Sequence, residues 1–80
     1  MFTVVVTEKG GTRQLMKFDE ELISIGRVQG NEIVLPRGNV SKRHAKIELK
    51  GNRFRVADLG STNGTYLNGR RVTDPAPVFL

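Results

Sequence analysis

Apolar and polar residues alternate along several short segments of this 80-residue chain. In residues 45–50 (AKIELK), Ala, Ile and Leu fall on one face and the charged residues on the other. Because successive side chains of a strand point to opposite faces, this period of two indicates half-buried β-strands. Residues 2–7 are rich in β-branched side chains, residues 22–25 alternate, and Phe54 and Val56 resume the pattern.

Turn signals separate these segments. Gly51-Asn52 precedes Phe54, and Leu67-Asn68-Gly69-Arg70 has the Asn-Gly pair that favours a two-residue type I′ hairpin. No window of ten or more residues repeats at helical spacing. Many short strands with Gly and Asn between them predict an all-β sandwich or barrel.

Three loops differ from the strands in composition. Residues 26–31, 36–44 and 60–64 are polar and rich in Gly or Asn, and two of them carry cations. Binding residues concentrate on loops that a rigid scaffold positions. These loops are therefore the candidate functional region.

Composition narrows the classes of function. A net charge of +5 favours an anionic partner, such as nucleic acid, a phosphorylated group or a membrane surface. The absence of cysteine excludes disulfides and thiolate metal sites, and a single histidine is a poor metal-binding set. No stretch has the length of a membrane span, and the amino end lacks a signal-peptide layout. We expect a cytoplasmic protein with no metal and no cofactor.

Ser41 and His44 raise the question of nucleophilic catalysis. A Ser–His pair needs a third group that orients the imidazole, and no local acid fits that role. Residues 60–65 and 26–30 have P-loop-like glycines, but the lysine and the following helix of a P-loop are absent. We expect no catalytic residue and no enzyme activity.

The remaining chemistry is anion recognition. An arginine fork donates two parallel hydrogen bonds to a phosphate, and Ser or Thr hydroxyls add donors without adding charge. A histidine in such a loop is more often a brace than a ligand contact. Nucleic-acid binding stays an alternative at this point, although the phenylalanines fall largely on apolar-patterned positions and Tyr66 stands nearly alone.

Three ordered motifs resemble the forkhead-associated (FHA) domain family, with a bacterial character. They are ISIGR at residues 23–27, VSKRHAKI at 40–47 and DLGSTNGTYLNG at 58–69. The resemblance implies one FHA-type β-sandwich over residues 1–80, built from short, mostly antiparallel strands. It also implies a module that binds phosphothreonine peptides and mediates phosphorylation-dependent protein–protein interaction in signalling or assembly.

The resemblance assigns a role to each matching position. Arg27, Ser41 and Lys42 would contact the phosphate, and Thr62 would contribute to phosphopeptide binding from the third loop. Asn63 would bond the peptide backbone beside the phosphothreonine. The residues that would support the binding loops are Gly26, His44 and Gly64. Arg43 and Lys46 are expected on an exposed face. The partner implied is a phosphothreonine-containing protein or peptide, with no nucleic acid and no membrane insertion.

The chain is shorter than the family domain, whose last two strands we expect to be missing. Residues 78–80 resemble the start of a strand that is cut off. The chain is a fragment, or another chain supplies the strands, or the fold tolerates their loss. The open C-terminal edge, which we expect next to residues 2–6, favours self-association or strand swapping. A phosphate-independent assembly module therefore stays an alternative, as does a basic nucleic-acid-binding β domain.

Overall fold

The computed structural model describes residues 1–78, which form β-strands and loops without a helix. The strands are β1 (Phe2–Thr7), β2 (Arg13–Phe18), β3 (Leu22–Gly26), β4 (Ile33–Val34), β5 (Ala45–Lys50), β6 (Arg53–Asp58), β7 (Tyr66–Leu67), β8 (Arg70–Arg71) and β9 (Ala76–Val78). In this part of the chain, no helix has the length and apolar character needed to cross a membrane.

The largest sheet has five strands in the order β4-β3-β5-β6-β9. Its pairs are antiparallel except β3 with β4, which run parallel. β1 and β2 form a separate antiparallel pair, and β7 and β8 form a short hairpin. The register pairs Ile47 with Val56 and Leu49 with Phe54, so the apolar positions of β5 and β6 share one face.

The core lies between the β1–β2 pair and the five-stranded sheet. Phe18 from β2 packs with Ile23 and Ile33, which are 0% and 1% exposed. Partly buried apolar side chains surround them: Phe2, Val4, Val6, Met16, Ile25, Leu35 and Ile47. The two layers enclose one apolar core, as the predicted all-β sandwich requires. That prediction is confirmed.

The predicted hairpin turn is also confirmed. Asn68 and Gly69 have φ angles of 51° and 84°, as both central residues of a type I′ turn require. The turn joins β7 to β8, with Leu67 paired to Arg70. Asn tolerates this left-handed conformation better than other non-glycine residues, which explains its place in the turn.

Two strands of the structure were not predicted from the alternation of apolar and polar residues. β2 was not predicted because Leu15 and Met16 are adjacent, which interrupts a strict alternation. Leu15 is 64% exposed and pairs with Val5 on the outer face, so apolar residues occupy both faces of β2. β4 has only two residues, too few to show any period.

The last described strand, β9, pairs antiparallel with β6 through Val78 opposite Phe54 and Ala76 opposite Val56. The strand predicted from Val78 onward therefore begins two residues earlier, at Ala76. Phe79 and Leu80, which were part of that prediction, lie outside the described residues.

Candidate anion-binding cleft

Three loops meet at one end of the sandwich and form a cleft of about 490 Å³. They connect β3 to β4, β4 to β5 and β6 to β7. The residues that line the cleft are Arg27, Gly38, Asn39, Val40, Ser41, Lys42, Arg43, Thr62 and Asn63. All five residues expected to contact a phosphopeptide are among them, although they span 37 positions of the sequence from Arg27 to Asn63.

Two hydrogen bonds hold Arg27 against the loop that carries Ser41. The backbone N–H of Arg27 donates to the carbonyl of Ser41 over 3.0 Å. The side-chain Nε donates to the carbonyl of Val40 over 3.1 Å. Because Nε is engaged, the guanidinium plane is oriented, and its two terminal nitrogens form the fork that suits an oxyanion.

Ser41 is bonded to three separate segments. Its N–H donates to Nδ1 of His44 at 3.1 Å, its carbonyl accepts from Arg27, and its Oγ accepts from the N–H of Thr62 at 3.0 Å. A hydroxyl that accepts a hydrogen bond keeps its own proton to donate. Ser41 therefore presents one donor to the cleft while its oxygen joins two of the loops.

His44 joins the second and third loops through both ring nitrogens. Nδ1 accepts from the N–H of Ser41, and Nε2 lies 2.8 Å from the carbonyl oxygen of Gly64. A backbone N–H can only donate and a carbonyl can only accept, so these neighbours select the neutral tautomer with its proton on Nε2. This arrangement is that of a brace, and it leaves His44 no free lone pair with which to activate Ser41.

Gly26 occupies a site with no room for a side chain. A Cβ there would lie 2.1 Å from the carbonyl oxygen of Lys42 and 2.6 Å from Nδ2 of Asn31. Backbone atoms cannot yield at such distances, so glycine allows the first two loops to approach each other. Gly64 has a φ of 86°, a left-handed conformation that favours glycine.

Asn31 is a supporting residue that sequence reasoning missed. Its Nδ2 donates to the carbonyls of Val28 at 2.8 Å and Lys42 at 3.0 Å, so one amide joins the first two loops. It is 8% exposed and is the buried polar residue of the described chain. Its position in a Gly- and Asn-rich loop was visible, but nothing in the sequence shows that its amide reaches Lys42.

Asp58 organises the third loop, and it was also missed. Its Oδ2 accepts from the N–H groups of Gly60 and Ser61, both at 3.0 Å. Its Oδ1 accepts from the hydroxyls of Ser61 and Thr65, and Ser61 Oγ in turn accepts from the N–H of Gly64. The sequence signal was an Asp followed two and three positions later by free N–H groups, the pattern of an Asx turn.

These bonds change the acidity of Asp58. The hydrogen bond from the Ser61 hydroxyl is the largest cause that lowers the pKa of Asp58, from 3.8 to about 2. Thr65 and the two backbone N–H groups lower it further, while partial burial opposes them. The loop is therefore built around an ionised carboxylate.

Thr62, Asn63 and Lys42 complete the lining with exposed side chains. Nδ2 of Asn63 donates to the carbonyl of Asn39 at 2.9 Å, which connects the third loop to the second across the cleft. That bond uses one of the two N–H donors of the amide. The other donor and the side-chain oxygen are the groups with which a peptide backbone could pair.

The cleft carries three cations, Arg27, Lys42 and Arg43, and no acidic residue lines it. Within residues 1–78 the single side-chain ion pair joins Arg37 to Glu8 at 3.0 Å, outside this cleft. Arg43 is exposed, as expected, and its side chain is among those that line the cleft. Lys46 lies on β5, away from the cleft.

This arrangement defines a class of site: an open, loop-built cleft whose oriented arginine, free hydroxyls and uncompensated cations suit an anionic group. No three His, Cys, Asp or Glu side chains gather to hold a metal among the residues described. The family model of the FHA domain matches residues 23–80, which is most of the chain. The chain therefore belongs to the FHA domain family.

Relatives and solved structures agree with this assignment. The FHA domain-containing protein FhaB of Mycobacterium tuberculosis is 41% identical over 75 residues, which cover 94% of this chain and 48% of FhaB. The chain thus spans about half the length of that relative.

Two solved structures share the fold. Mycobacterium tuberculosis EmbR in complex with a low-affinity phosphopeptide superposes with a TM-score of 0.79 at 27% identity, covering 96% of this chain and 20% of EmbR. A structure described as an analysis of phosphothreonine-dependent FHA domain interactions has a TM-score of 0.75 at 31% identity. That match covers 98% of this chain and 80% of the other.

Proposed function

We propose that this chain is a non-catalytic module that binds phosphothreonine-containing peptides and so mediates phosphorylation-dependent protein–protein interaction. The observation that carries the proposal is the acid-free cleft in which the Arg27 fork and the Ser41 hydroxyl lie together with Lys42 and Thr62. The two similar solved structures support it, since one holds a phosphopeptide and the other concerns phosphothreonine-dependent interactions.

In this proposal the phosphate lies against Arg27 and Ser41. A phosphothreonine carries about −1.5 to −2 charge near pH 7 and three acceptor oxygens. The terminal nitrogens of Arg27 give two charge-assisted bonds, the Ser41 hydroxyl gives a third, and Lys42 and Thr62 lie on the same lining. The Ser41 oxygen is already bonded to Thr62 N–H, so its proton is the part directed to the ligand.

Asn63 would fix the register of the peptide. Its amide already bonds the carbonyl of Asn39, so the side chain is held in place before a ligand arrives. The free amide oxygen and N–H match the backbone groups of an extended peptide. A backbone contact beside the phosphothreonine would select an orientation without selecting a sequence.

The preference for threonine over serine would come from its γ-methyl group. Val40 is half-buried and is the one larger apolar side chain in the lining. Burial of one methyl is worth about 0.8 kcal/mol, so we expect about a fourfold preference from contact alone. Any greater preference would come from the side-chain rotamer that the methyl enforces.

The test is titration of a phosphothreonine peptide library, with phosphoserine and unphosphorylated controls. Binding to the wild-type chain should saturate and should require the phosphate. Arg27→Ala should weaken it at least about tenfold, since charge-assisted bonds are worth about 1.5–3 kcal/mol each. The matched control is Arg53→Ala, an exposed arginine on β6 outside the cleft. Equal loss in both variants, or no binding by a folded chain, refutes the proposal.

A second function, self-association through β1, stays a prediction with one observation behind it. Beside β1 lies an apolar groove of about 400 Å³, lined by Phe2, Thr3, Val4, Ile47, Phe54, Val56, Leu67 and Val78. Within residues 1–78, β1 pairs with β2 only. The other edge of β1 is therefore unpaired and can pair with a further strand. We propose that a second copy of this chain pairs with this edge and covers the groove.

Sedimentation over a concentration series tests this second function. We expect the wild-type chain to form a dimer as its concentration rises, and Thr3→Lys to stay monomeric because a charge blocks the edge. Thr12→Lys, in the turn before β2, is the control that adds the same charge elsewhere. A wild-type monomer at every concentration contradicts the proposal.

Nucleic-acid binding gains no support from the aromatic residues. The Phe2 ring lies 5.7 Å from Phe18 and 5.1 Å from Phe54, measured between ring centroids, so Phe2 packs against both of the other rings. Base stacking needs exposed aromatic rings, and Tyr66 at 60% exposure is the one large exposed ring among the described residues.

The cytoplasmic location stays a prediction from the sequence.

A further inference from the structure

The charge of the cleft exceeds what one phosphate needs. Arg27, Lys42 and Arg43 bring three positive charges to the lining, and none of the nine lining residues is acidic. The phosphothreonine of the proposed ligand carries about −1.5 to −2. A bound peptide with one phosphate and otherwise neutral side chains would leave about one positive charge without a partner.

The geometry of residues 41–44 separates the roles of the cations. Ser41 N–H bonds to Nδ1 of His44, which closes a tight turn with Lys42 and Arg43 at its tip. The Lys42 carbonyl is fixed by Asn31, while both cationic side chains are exposed on the rim. Arg43 is therefore the last of the lining residues 38–43 along the second loop, the rim of the cleft, and it follows by two positions the Ser41 hydroxyl that is proposed to bond the phosphate.

Nothing within the described chain neutralises Arg43. The single ion pair of residues 1–78 joins Arg37 to Glu8 and does not involve Arg43. A cation on the wall of a ligand site loses water when a peptide covers it, which costs free energy unless a partner replaces the water. The partner that best replaces it at an arginine is a carboxylate or phosphate, which accepts two hydrogen bonds.

We propose that Arg43 is a specificity residue that pairs with a second anionic side chain of the ligand, close to its phosphothreonine. This inference rests on the proposed phosphothreonine-binding function and narrows its ligand to peptides that carry an additional carboxylate or a second phosphate. An extended peptide advances about 3.3 Å per residue, so a side chain within about three residues of the phosphothreonine can reach the rim.

The experiment compares three sets of phosphothreonine peptides by fluorescence anisotropy. The reference peptide has alanine flanks, the second set moves one aspartate through the three positions on each side, and the third places a second phosphothreonine at those positions. The readout is the ratio of Kd for the reference to Kd for each acidic peptide in the same protein. This ratio removes any general weakening of binding.

For the wild-type chain, we expect one position at which aspartate strengthens binding about two- to fivefold, the range of a partly exposed ion pair. A second phosphate there should give a larger gain, which distinguishes the two sources of charge. The gain should shrink at high salt, because exposed charge pairs are screened. Arg43→Gln should bring the ratio to about 1, as loss of the pair requires.

Arg53→Gln is the matched control, since it removes the same charge from β6 outside the cleft. It should keep the wild-type ratio. The inference is overturned if no acidic position strengthens binding, or if Arg43→Gln and Arg53→Gln lower the ratio equally. In either case the reference peptide still binds, so the proposed function stands. Failure of the reference peptide to bind overturns both.

Discussion

The anion-binding cleft and the apolar groove are concave surfaces of similar volume, about 490 and 400 Å³, with opposite chemistry. Directional hydrogen bonds from a few polar residues hold the cleft in shape, and several of these bonds join one loop to another. Apart from the exposed Thr3, the groove is lined by half-buried apolar side chains of strands, whose contacts have no required direction.

This difference decides which residues are replaceable. In the cleft, Gly26, Asn31, His44 and Asp58 each satisfy a specific geometric need, and no other residue type meets it equally well. In the groove, a residue of similar volume can replace another at small cost. We expect changes in the cleft to alter the affinity for a phosphopeptide, and changes in the groove to alter stability or self-association without changing that affinity.

The largest effect should follow Gly26→Ala. The added Cβ would meet the Lys42 carbonyl at 2.1 Å, so the first two loops must separate. We expect a loss of about 3 kcal/mol in the free energy of unfolding and loss of phosphopeptide binding. Urea denaturation measures the first effect and anisotropy the second.

Gly38→Ala is the control for this change, because a Cβ at Gly38 meets nothing within 4 Å. Its stability should stay within about 0.5 kcal/mol of wild type. If Gly26→Ala were as stable as Gly38→Ala, the close approach of the two loops would not be essential to the fold.

Asp58→Asn should have the next largest effect. The amide cannot accept all four hydrogen bonds that the carboxylate accepts, so we expect a loss of about 1–3 kcal/mol at pH 7. The pKa of Asp58 is lowered from 3.8 to about 2 in the folded chain. The ionised Asp58 therefore contributes its full stabilisation at pH values above 3.8, the ordinary pKa of the carboxyl in the unfolded chain. That stabilisation is lost as the pH falls through the folded-state pKa of about 2.

Urea denaturation at several pH values between 2 and 7 checks this pH dependence, since the lower limit is the folded-state pKa of about 2. The difference in the free energy of unfolding between wild type and Asp58→Asn should decrease as the pH falls below about 4. Asp19→Asn, at an exposed aspartate, is the control and should cost little at any pH. A gap that does not change with pH would show that ionisation of Asp58 contributes nothing.

Phe54→Leu tests the groove. Phe54 packs edge-on against Phe2 with ring centroids 5.1 Å apart, and it is half-buried. Its replacement should cost about 1 kcal/mol of stability, and the affinity for a phosphothreonine peptide should not change. An affinity change in a fully folded Phe54→Leu chain would contradict the independence of the two surfaces.

The smallest effect should come from the ion pair between Glu8 and Arg37. It connects the turn after β1 to the loop that precedes Ser41, with Arg37 about 59% exposed. An exposed ion pair contributes about 0–1 kcal/mol, so Glu8→Gln should lower the free energy of unfolding by no more than about 1 kcal/mol. The difference from wild type should vanish in high salt, which thermal denaturation at two salt concentrations would show.

The sequence predicted those parts of the fold where one face is apolar and the other polar. β5 was recognised because its residues alternate over six positions, and the β7–β8 hairpin because Asn68-Gly69 favours a type I′ turn. β2 was missed because its outward face carries Leu15, and β4 because two residues show no period. A strand with apolar residues on both faces, or one as short as two residues, shows no alternation from which it could be predicted.

The site shows the same limit. The residues expected at the cleft were identified by motif, and the structure gathers them from three loops. Asn31 was missed because it bonds backbone carbonyls 3 and 11 positions away, and Asp58 because it bonds groups 2 to 7 positions away, contacts that a motif does not display.

The most direct test of the account is amide chemical-shift mapping by NMR with one phosphothreonine peptide and its unphosphorylated form. The account predicts that the phosphorylated peptide alone shifts the amides of Arg27, Ser41 to Arg43, Thr62 and Asn63, and leaves the groove residues Val4, Phe54 and Val56 in place. Shifts centred on the groove, or equal shifts with the unphosphorylated peptide, would contradict the claim that the cleft is the binding site.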